Sequence, residues 1–261
     1  MQCFLPAKPL SGEYKAIMDN ATDGVVLIAF GSLINLAKLP PEIKSSFLNM
    51  MRQFPKILFI WRWDGPEPED KPENLIISKW LPQFQILGHP NLRAFISHAG
   101  LNSLSEATYH GVPVILIPLF VDQDYNAYRI EATEIGIRLE MRTLNSKILI
   151  TSLNQVLNNP KYSTNMKAMS ALFRDRPMSP IETGVYWTEF ILRHNNTRHL
   201  KPIQNLTFFQ RRFFDGALIL ILVVSFILAL LFASLFRGFP KKPYTKDSIT
   251  KDGNENKKKL H

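Results

Sequence analysis

After the apolar run Leu92 to Ser97 the chain reads His98-Ala-Gly100-Leu-Asn102-Ser103-Leu-Ser-Glu106, residue types suited to holding an anion and neighbouring hydroxyls. Gly100 lets a ligand approach the backbone closely, and Asn102 and Ser103 can cap a helix opening here. The free N–H groups and positive dipole end of such a helix attract a phosphate, to whose oxygens His98 at the strand end can donate. Glu106 lies one helical turn beyond Asn102 on the same face, where it could accept from vicinal hydroxyls such as those of a ribose. A capped helix with a satisfied histidine explains each residue taken singly; together they point to a phosphate-bearing ligand. Upstream, Trp80-Leu81-Pro82-Gln83 sets an indole on a short hinge stiffened by proline, a place that serves either core packing or a ligand.

Short apolar runs alternating with helical stretches must position these residues. Val25 to Phe30 is a continuous apolar run ending at Gly31-Ser32, as a buried parallel strand should be. Pro40-Pro41-Glu42 opens a helix to about Arg52, Lys56 to Trp61 is the next strand, and Asp64 to Glu73, with Gly65, Pro66, Pro68 and Pro72, is an exposed loop. Further strands are expected at Leu75 to Ile77, Leu92 to Ser97, Val114 to Ile117 and Arg138 to Glu140. Helices are expected at Leu101 to His110 closed by Gly111, Asp124 to Ile135 stopped by Gly136, Ser146 to Leu157, Ser163 to Asp175 and Ser179 to His194. This alternation predicts an α/β domain with a doubly wound, mostly parallel sheet, whose ligands bind at the carboxyl ends of the strands. No GxGxxG follows the first strand and GSLINLAKLP is no Walker loop, so dinucleotide and P-loop chemistries lose their main support.

The chain has 261 residues, 46% of them hydrophobic, and a net charge of +9. Gly216 to Phe236 carries no charge and, at about 1.5 Å per residue, spans roughly the 30 Å hydrocarbon layer as a single transmembrane helix. Eight basic residues against three acidic ones follow it, a balance of +5 that leaves +4 for the rest. The basic excess predicts a cytosolic tail and a lumenal globular part, although Arg211 and Arg212 before the span pull the other way. It does not indicate nucleic acid, because no stripe of stacked aromatic and basic residues accompanies it. Sequons at Asn20, Asn195 and Asn205 all precede the span. The ending Lys258-Lys259-Leu260-His261 resembles the dilysine retrieval signal of endoplasmic-reticulum membrane proteins. The single cysteine, Cys3, allows no intrachain disulfide.

Trp80 to Gln83, then HAGLNSLSE from His98, then PLFVDQ ending at Gln123 resemble, in order and spacing, the signature of the UDP-glycosyltransferases, animal membrane enzymes that transfer glucose or glucuronic acid to small lipophilic acceptors. The likeness continues through Pro6 to Leu10, Val25 to Ser32 and Asp175 to Pro180 into the anchor. It implies a Rossmann-like, C-terminal domain of a GT-B glycosyltransferase followed by one transmembrane helix. The expected organisation is an interdomain linker over 1–24, a UDP-sugar-binding domain over 25–207, an anchor over 208–236 and a cytosolic tail over 237–261, with the whole in the endoplasmic-reticulum membrane.

By the same resemblance Trp80 stacks on the uracil, Gln83 hydrogen-bonds the uridine, Ser32, His98, Asn102 and Ser103 hold the diphosphate, Gly100 admits it and Glu106 binds the ribose. Asp122 and Gln123 read the sugar hydroxyls, for which a carboxylate and an amide are chemically apt; Asp122 could also serve as a helix N-cap. The expected co-substrate is UDP-glucose or UDP-glucuronate, with no cofactor and no metal. The base that takes the acceptor proton belongs in the family to an N-terminal domain that also forms the acceptor pocket. No catalytic residue is therefore assigned here, and none of the six histidines matches that base. The amino terminus, MQCFLPAKPLSGEYK, has no apolar leader, consistent with a chain that represents the C-terminal half. Two functions follow: a donor-binding half that transfers sugar when an acceptor domain is supplied, or a noncatalytic relative that binds UDP-sugar or forms a homo- or hetero-oligomer with full-length members and modulates them.

Overall fold

A computed structural model describes residues 9–32, 34–194 and 207–237. The chain divides into two compact units, Met1–Arg193 and His194–His261. The first is built on six parallel strands, β1 (Val25–Ala29), β2 (Leu58–Arg62), β3 (Leu75–Ser78), β4 (Leu92–Ser97), β5 (Val114–Leu116) and β6 (Gly136–Arg138), in the order β3-β2-β1-β4-β5-β6. Eight α-helices accompany them among the described residues: α1 (Glu13–Asn20), α2 (Pro41–Gln53), α3 (Gln83–Leu87), α4 (Leu101–His110), α5 (Gln123–Ala132), α6 (Ser146–Asn158), α7 (Pro160–Arg174) and α8 (Pro180–Arg193).

Alternation along each strand divides the interior in two. Val26, Ile28, Phe59, Trp61, Ala94, Ile96 and Ile115 join α2 and α6 in one cluster, whereas Val25, Leu27, Ile60, Phe95, Val114 and Leu116 join residues of α1, α3, α4, α5 and α7 in the other. Period-two side-chain direction makes this inevitable for a sheet covered on both faces. The apolar runs are thus doubly wound, as expected, and each fully buried Phe or Ile contributes about 1.5–3 kcal/mol. Strand order reverses between β1 and β4, whose ends lie level because Ala29 pairs with Ser97. Such a switch point opens a crevice beyond the carboxyl ends of the two strands.

Several boundaries differ from expectation. β4 and α4 match to the residue, and Gly111 closes α4 in the left-handed conformation. α7 starts at Pro160, behind an Asn159 side chain that accepts the Lys161 N–H, so the cap and first-turn proline outweigh the later serine. Two helices were not anticipated. α1 occupies the segment expected as linker, buries Met18, and is tied to the turn before β4 by Asn91 Nδ2 donating to the Met18 carbonyl at 2.9 Å. His89 Nδ1 accepts the Asn91 N–H at 3.2 Å, so its Nε2 carries the proton donated to Asp19 at 3.0 Å. The second is α3, a short helix directly after the Trp80 hinge.

In the second unit, α9 (Phe208–Arg211) opens with a capping box between Thr207 and Gln210, and α10 runs Phe214–Arg237. Phe214–Leu235 has a mean hydropathy of 3.1 and is long and apolar enough to cross a membrane. The sequons at Asn195 and Asn205, Cys3, and the tail beyond Arg237 lie outside the described residues.

Gly136 does not stop a helix, because α5 has already ended at Ala132; it begins β6. A Cβ there would stand 2.4 Å from the Val114 carbonyl oxygen and 2.8 Å from Ile130 Cγ2, so this edge of the sheet requires a glycine. Gly136→Ala is expected to cost about 1–3 kcal/mol in urea unfolding through overpacking. By contrast Gly184→Ala in α8, where an added Cβ meets nothing within 4 Å, is expected to gain about 0.5–1 kcal/mol.

Candidate functional site

The crevice beyond β1 and β4 is organised by one imidazole. His98 leaves the end of β4 and lies so close to two backbones that a Cβ on Gly100 would sit 2.5 Å from its Nε2, and one on Gly31 would sit 2.9 Å from its Cε1. Phe30 stacks beside the ring, with centroids 6.3 Å apart, and Ser97 Oγ lies 3.4 Å from Nδ1. Burial pushes the His98 pKa down, and the nearby Asp122 carboxylate only partly opposes this, so the ring is neutral at neutral pH. The turn that follows requires Ala99 in the left-handed conformation, φ 65°.

α4 begins immediately beyond. Gly100, in extended conformation, occupies its N-cap, and no side chain caps the helix. The capping roles expected of Asn102 and Ser103 are thereby corrected: both are already helical, Asn102 exposed and Ser103 buried. The first N–H groups of α4 therefore keep no intrahelical acceptor and face the crevice side of the helix end. Ser32 is exposed just after Gly31, whose carbonyl accepts from Arg62 at the end of β2. The apolar pattern ends this strand at Trp61, whereas β2 continues to include Arg62.

Trp80 is not a core residue. It is 76% exposed on the hinge between β3 and α3, while Leu81 beside it is buried and Ser78 Oγ donates to the Trp80 carbonyl at 2.8 Å. The hinge leads to Gln83, the first residue of α3, whose Nε2 donates to Glu106 Oε2 at 2.6 Å and lies 3.2 Å from Ser103 Oγ. Burial raises the Glu106 pKa, partly offset by Gln83, and one carboxylate oxygen remains for another donor. Below this bond the Phe84 and His110 rings pack at 4.6 Å, so α3 and α4 are joined at two levels.

The loop from β5 supplies the remaining pair. Asp122 occupies the N-cap position of α5, where its carbonyl accepts the Asn126 N–H at 3.0 Å, but its φ/ψ are helical and its side chain makes no cap, which leaves the carboxylate for other partners. Its carboxylate is exposed and accepts from Asn126 Nδ2 at 2.8 Å, and the same nitrogen donates to the Ala99 carbonyl at 3.1 Å. Gln123 is buried, and its Oε1 accepts the N–H groups of Leu119 and Phe120 at 2.9 and 3.2 Å. Val121 is 85% exposed with φ 61°, an outlier for a β-branched residue that, like Ala99, carries about 1–3 kcal/mol of local strain. Among the described residues no group of three or more His, Cys, Asp or Glu could hold a metal ion. A cavity of about 310 Å³ between Tyr109, Phe173, Arg174, Arg176 and Met178 lies at the opposite end of α4 and shares no residue with the crevice.

The α3–α4 contact makes stability sensitive to acid. Burial, with Arg174 as a second cause, pushes His110 down to about 4, against 6.5 for the ordinary group. Between pH 6.5 and 4 the unfolded chain takes up a proton that the folded chain refuses, so stability falls as pH drops through that window. Tm measured from pH 7 to 4.5 is expected to fall less steeply for His110→Gln than for the unmodified chain; parallel slopes would contradict this.

Comparison with known proteins bears on the family and the fold. The UDP-glucoronosyl and UDP-glucosyl transferase family profile matches residues 1–246. UDP-glycosyltransferase UGT5 of Dactylopius coccus is 38% identical over 213 residues, 81% of this chain and 40% of that protein. UDP-glucuronosyltransferase 2B15 of Homo sapiens is 35% identical over 233 residues, covering 88% of this chain and 42% of that one. The chain thus spans about two fifths of the length of these curated relatives. Among solved structures, a UDP-glucose:anthocyanidin 3-O-glucosyltransferase in complex with UDP superposes with a TM-score of 0.61 at 22% identity, covering 73% of this chain and 45% of that one. The forosaminyltransferase SpnP gives 0.61 at 19% identity, covering 72% and 49%. With the profile matched across most of its length and a parallel six-stranded Rossmann-like sheet, the chain belongs to the UDP-glucuronosyl and UDP-glucosyl transferase family.

Proposed function

We propose that residues 25–207 bind a UDP-sugar and form the donor half of a glycosyltransferase, transferring a hexose or glucuronic acid to small lipophilic acceptors when an acceptor domain is supplied. The observation that carries this reading is the 2.6 Å bond from Gln83 to Glu106, because it joins the hinge of an exposed indole to an uncapped helix start. Trp80 offers a flat face to uracil, Gln83 contacts the uridine, and the open oxygen of Glu106 takes the ribose hydroxyls. Ser32, His98, Asn102 and Ser103, with the first N–H groups of α4, hold the diphosphate, which Gly100 admits; Arg62 adds positive charge behind the Gly31 turn. Asp122 accepts from sugar hydroxyls, and Gln123, whose oxygen is engaged, donates from its amide nitrogen.

The reaction then needs little covalent chemistry from this half. The acceptor oxygen forms a bond to the anomeric carbon as the bond from that carbon to the phosphate oxygen breaks. The acceptor proton passes to a base of the other domain, and the electron pair leaves with UDP. Groups around the diphosphate stabilise the charge that develops there and so lower the barrier. α10 would anchor this half in the endoplasmic-reticulum membrane with the tail cytosolic, a topology that puts exposed Asn20 where it can be glycosylated.

Thermal shift and calorimetry on the detergent-solubilised chain test the donor reading. UDP-glucose or UDP-glucuronate is expected to raise Tm, and Trp80→Ala to weaken UDP binding about 5- to 150-fold, the equivalent of about 1–3 kcal/mol of stacking. Lack of protection by both sugars, or unchanged affinity in Trp80→Ala, would refute the site. Because His98 is neutral when the site is empty and a diphosphate favours its charged form, UDP should bind with proton uptake and more tightly as pH falls from about 7.5 to 6. His98→Gln is expected to remove that dependence in calorimetry across buffers of different ionisation enthalpy.

A further inference from the structure

Asn126 belongs to α5, yet its side chain leaves the helix to bridge two loops. The amide nitrogen has two hydrogens: one reaches the Ala99 carbonyl at 3.1 Å and the other Asp122 Oδ2 at 2.8 Å. Ala99 lies between His98 and Gly100 in the turn from β4, and Asp122 lies at the end of the turn from β5. Each of these loops contains a residue held with positive φ, Ala99 at 65° and Val121 at 61°, conformations that persist only where surrounding contacts impose them. An Asn–Asp pair four residues apart could serve α5 alone. The second bond to a carbonyl of another loop has no such helical purpose.

We propose that Asn126 is a positioning residue that fixes the Asp122 carboxylate relative to the His98–Gly100 turn, and thereby sets how the site discriminates among UDP-sugars that differ in their hydroxyls or C6 carboxylate. The inference rests on the donor-site reading above. Asp122 is exposed and, without a partner, would sample several rotamers; the amide bond selects one. The hinge of Trp80, with Gln83 and Glu106, lies outside this bridge, and so the uridine contacts do not depend on it. The His98 ring packed against Gly31 and Gly100 holds the turn without the bridge, whereas Asp122 has Asn126 as its hydrogen-bond partner, so loss of the bridge acts chiefly on the sugar end of the donor.

Calorimetry on the full chain in detergent separates the two readings by comparing UDP with UDP-glucose and UDP-glucuronate. Asn126→Ala is expected to leave the Kd for UDP within about twofold, while the ratio of Kd values between the two UDP-sugars moves at least fivefold towards one. Adding Asp122→Ala to Asn126→Ala should change that ratio no further than Asp122→Ala alone, the non-additivity of one unit. Asn126→Asp has nearly the same size and loses the amide donor, so it carries the test if Asn126→Ala fails to fold. At pH 7.5 it should flatten sugar discrimination, and at pH 5.5 part of the discrimination should return as the introduced carboxyl regains a proton to donate. Parallel weakening of UDP and both UDP-sugars would mean a merely structural role, and unchanged sugar ratios would mean no role; either overturns the proposal. Failure of the unmodified chain to bind UDP would overturn the donor reading itself, and this inference with it.

Discussion

An imidazole packed against two glycine backbones sets the geometry on which the crevice depends. His98 takes the space that side chains on Gly31 and Gly100 would need, so the loops after β1 and β4 approach each other through a ring with its own hydrogen-bonding atoms. This occurs at the reversal of strand order, where the sheet leaves a gap that neighbouring crossovers do not cover. The consequences extend outward. The glycine after the ring brings the start of α4 to the crevice without a capping side chain, and the strained Ala99 turns its carbonyl towards Asn126. A larger residue at either glycine would displace the ring before it displaced anything else.

The surrounding side chains owe their positions to bonds between elements more than to the elements themselves. Gln83 is held by Glu106 across two helices, Gln123 by backbone N–H groups of its own loop, and Asp122 by Asn126. Each removes rotamer freedom before a ligand arrives, which lowers the entropy that binding must overcome. Trp80 differs, since only the backbone of its hinge is fixed and its ring is free to meet a flat partner. The crevice thus combines a rigid polar floor with an adaptable aromatic wall.

How far this was legible in the sequence follows from where the information resides. β4 and α4 could be read to the residue because a short run, apolar but for Arg93 and Ser97, is followed by a helical pattern that Gly111 closes. The family signature pointed to residues that the fold gathers around the crevice, although Asn102 and Ser103 lie inside the helix they were expected to cap. α1 carries little sequence signal because Gly12 offers no capping side chain and a single residue of the helix, Met18, is fully buried; α3, a helix of five residues, is too short to show a period. Arg62 and Asn126 were invisible for a different reason. Their importance comes from partners 31 and 27 residues away, and neither pattern nor propensity records such meetings.

The division of every central strand between two apolar clusters also limits how such a protein can diversify. A residue inserted into β1 or β4 would exchange the two sets of side chains and expose neither face to water, so both interiors would be lost together. Heritable change of length or polarity is therefore channelled into the connections, and those at the carboxyl ends of the strands are the ones that surround the crevice. The sheet acts as a filter on variation: the same packing that forbids novelty in the strands directs it to the segments where a new specificity can arise without loss of the fold.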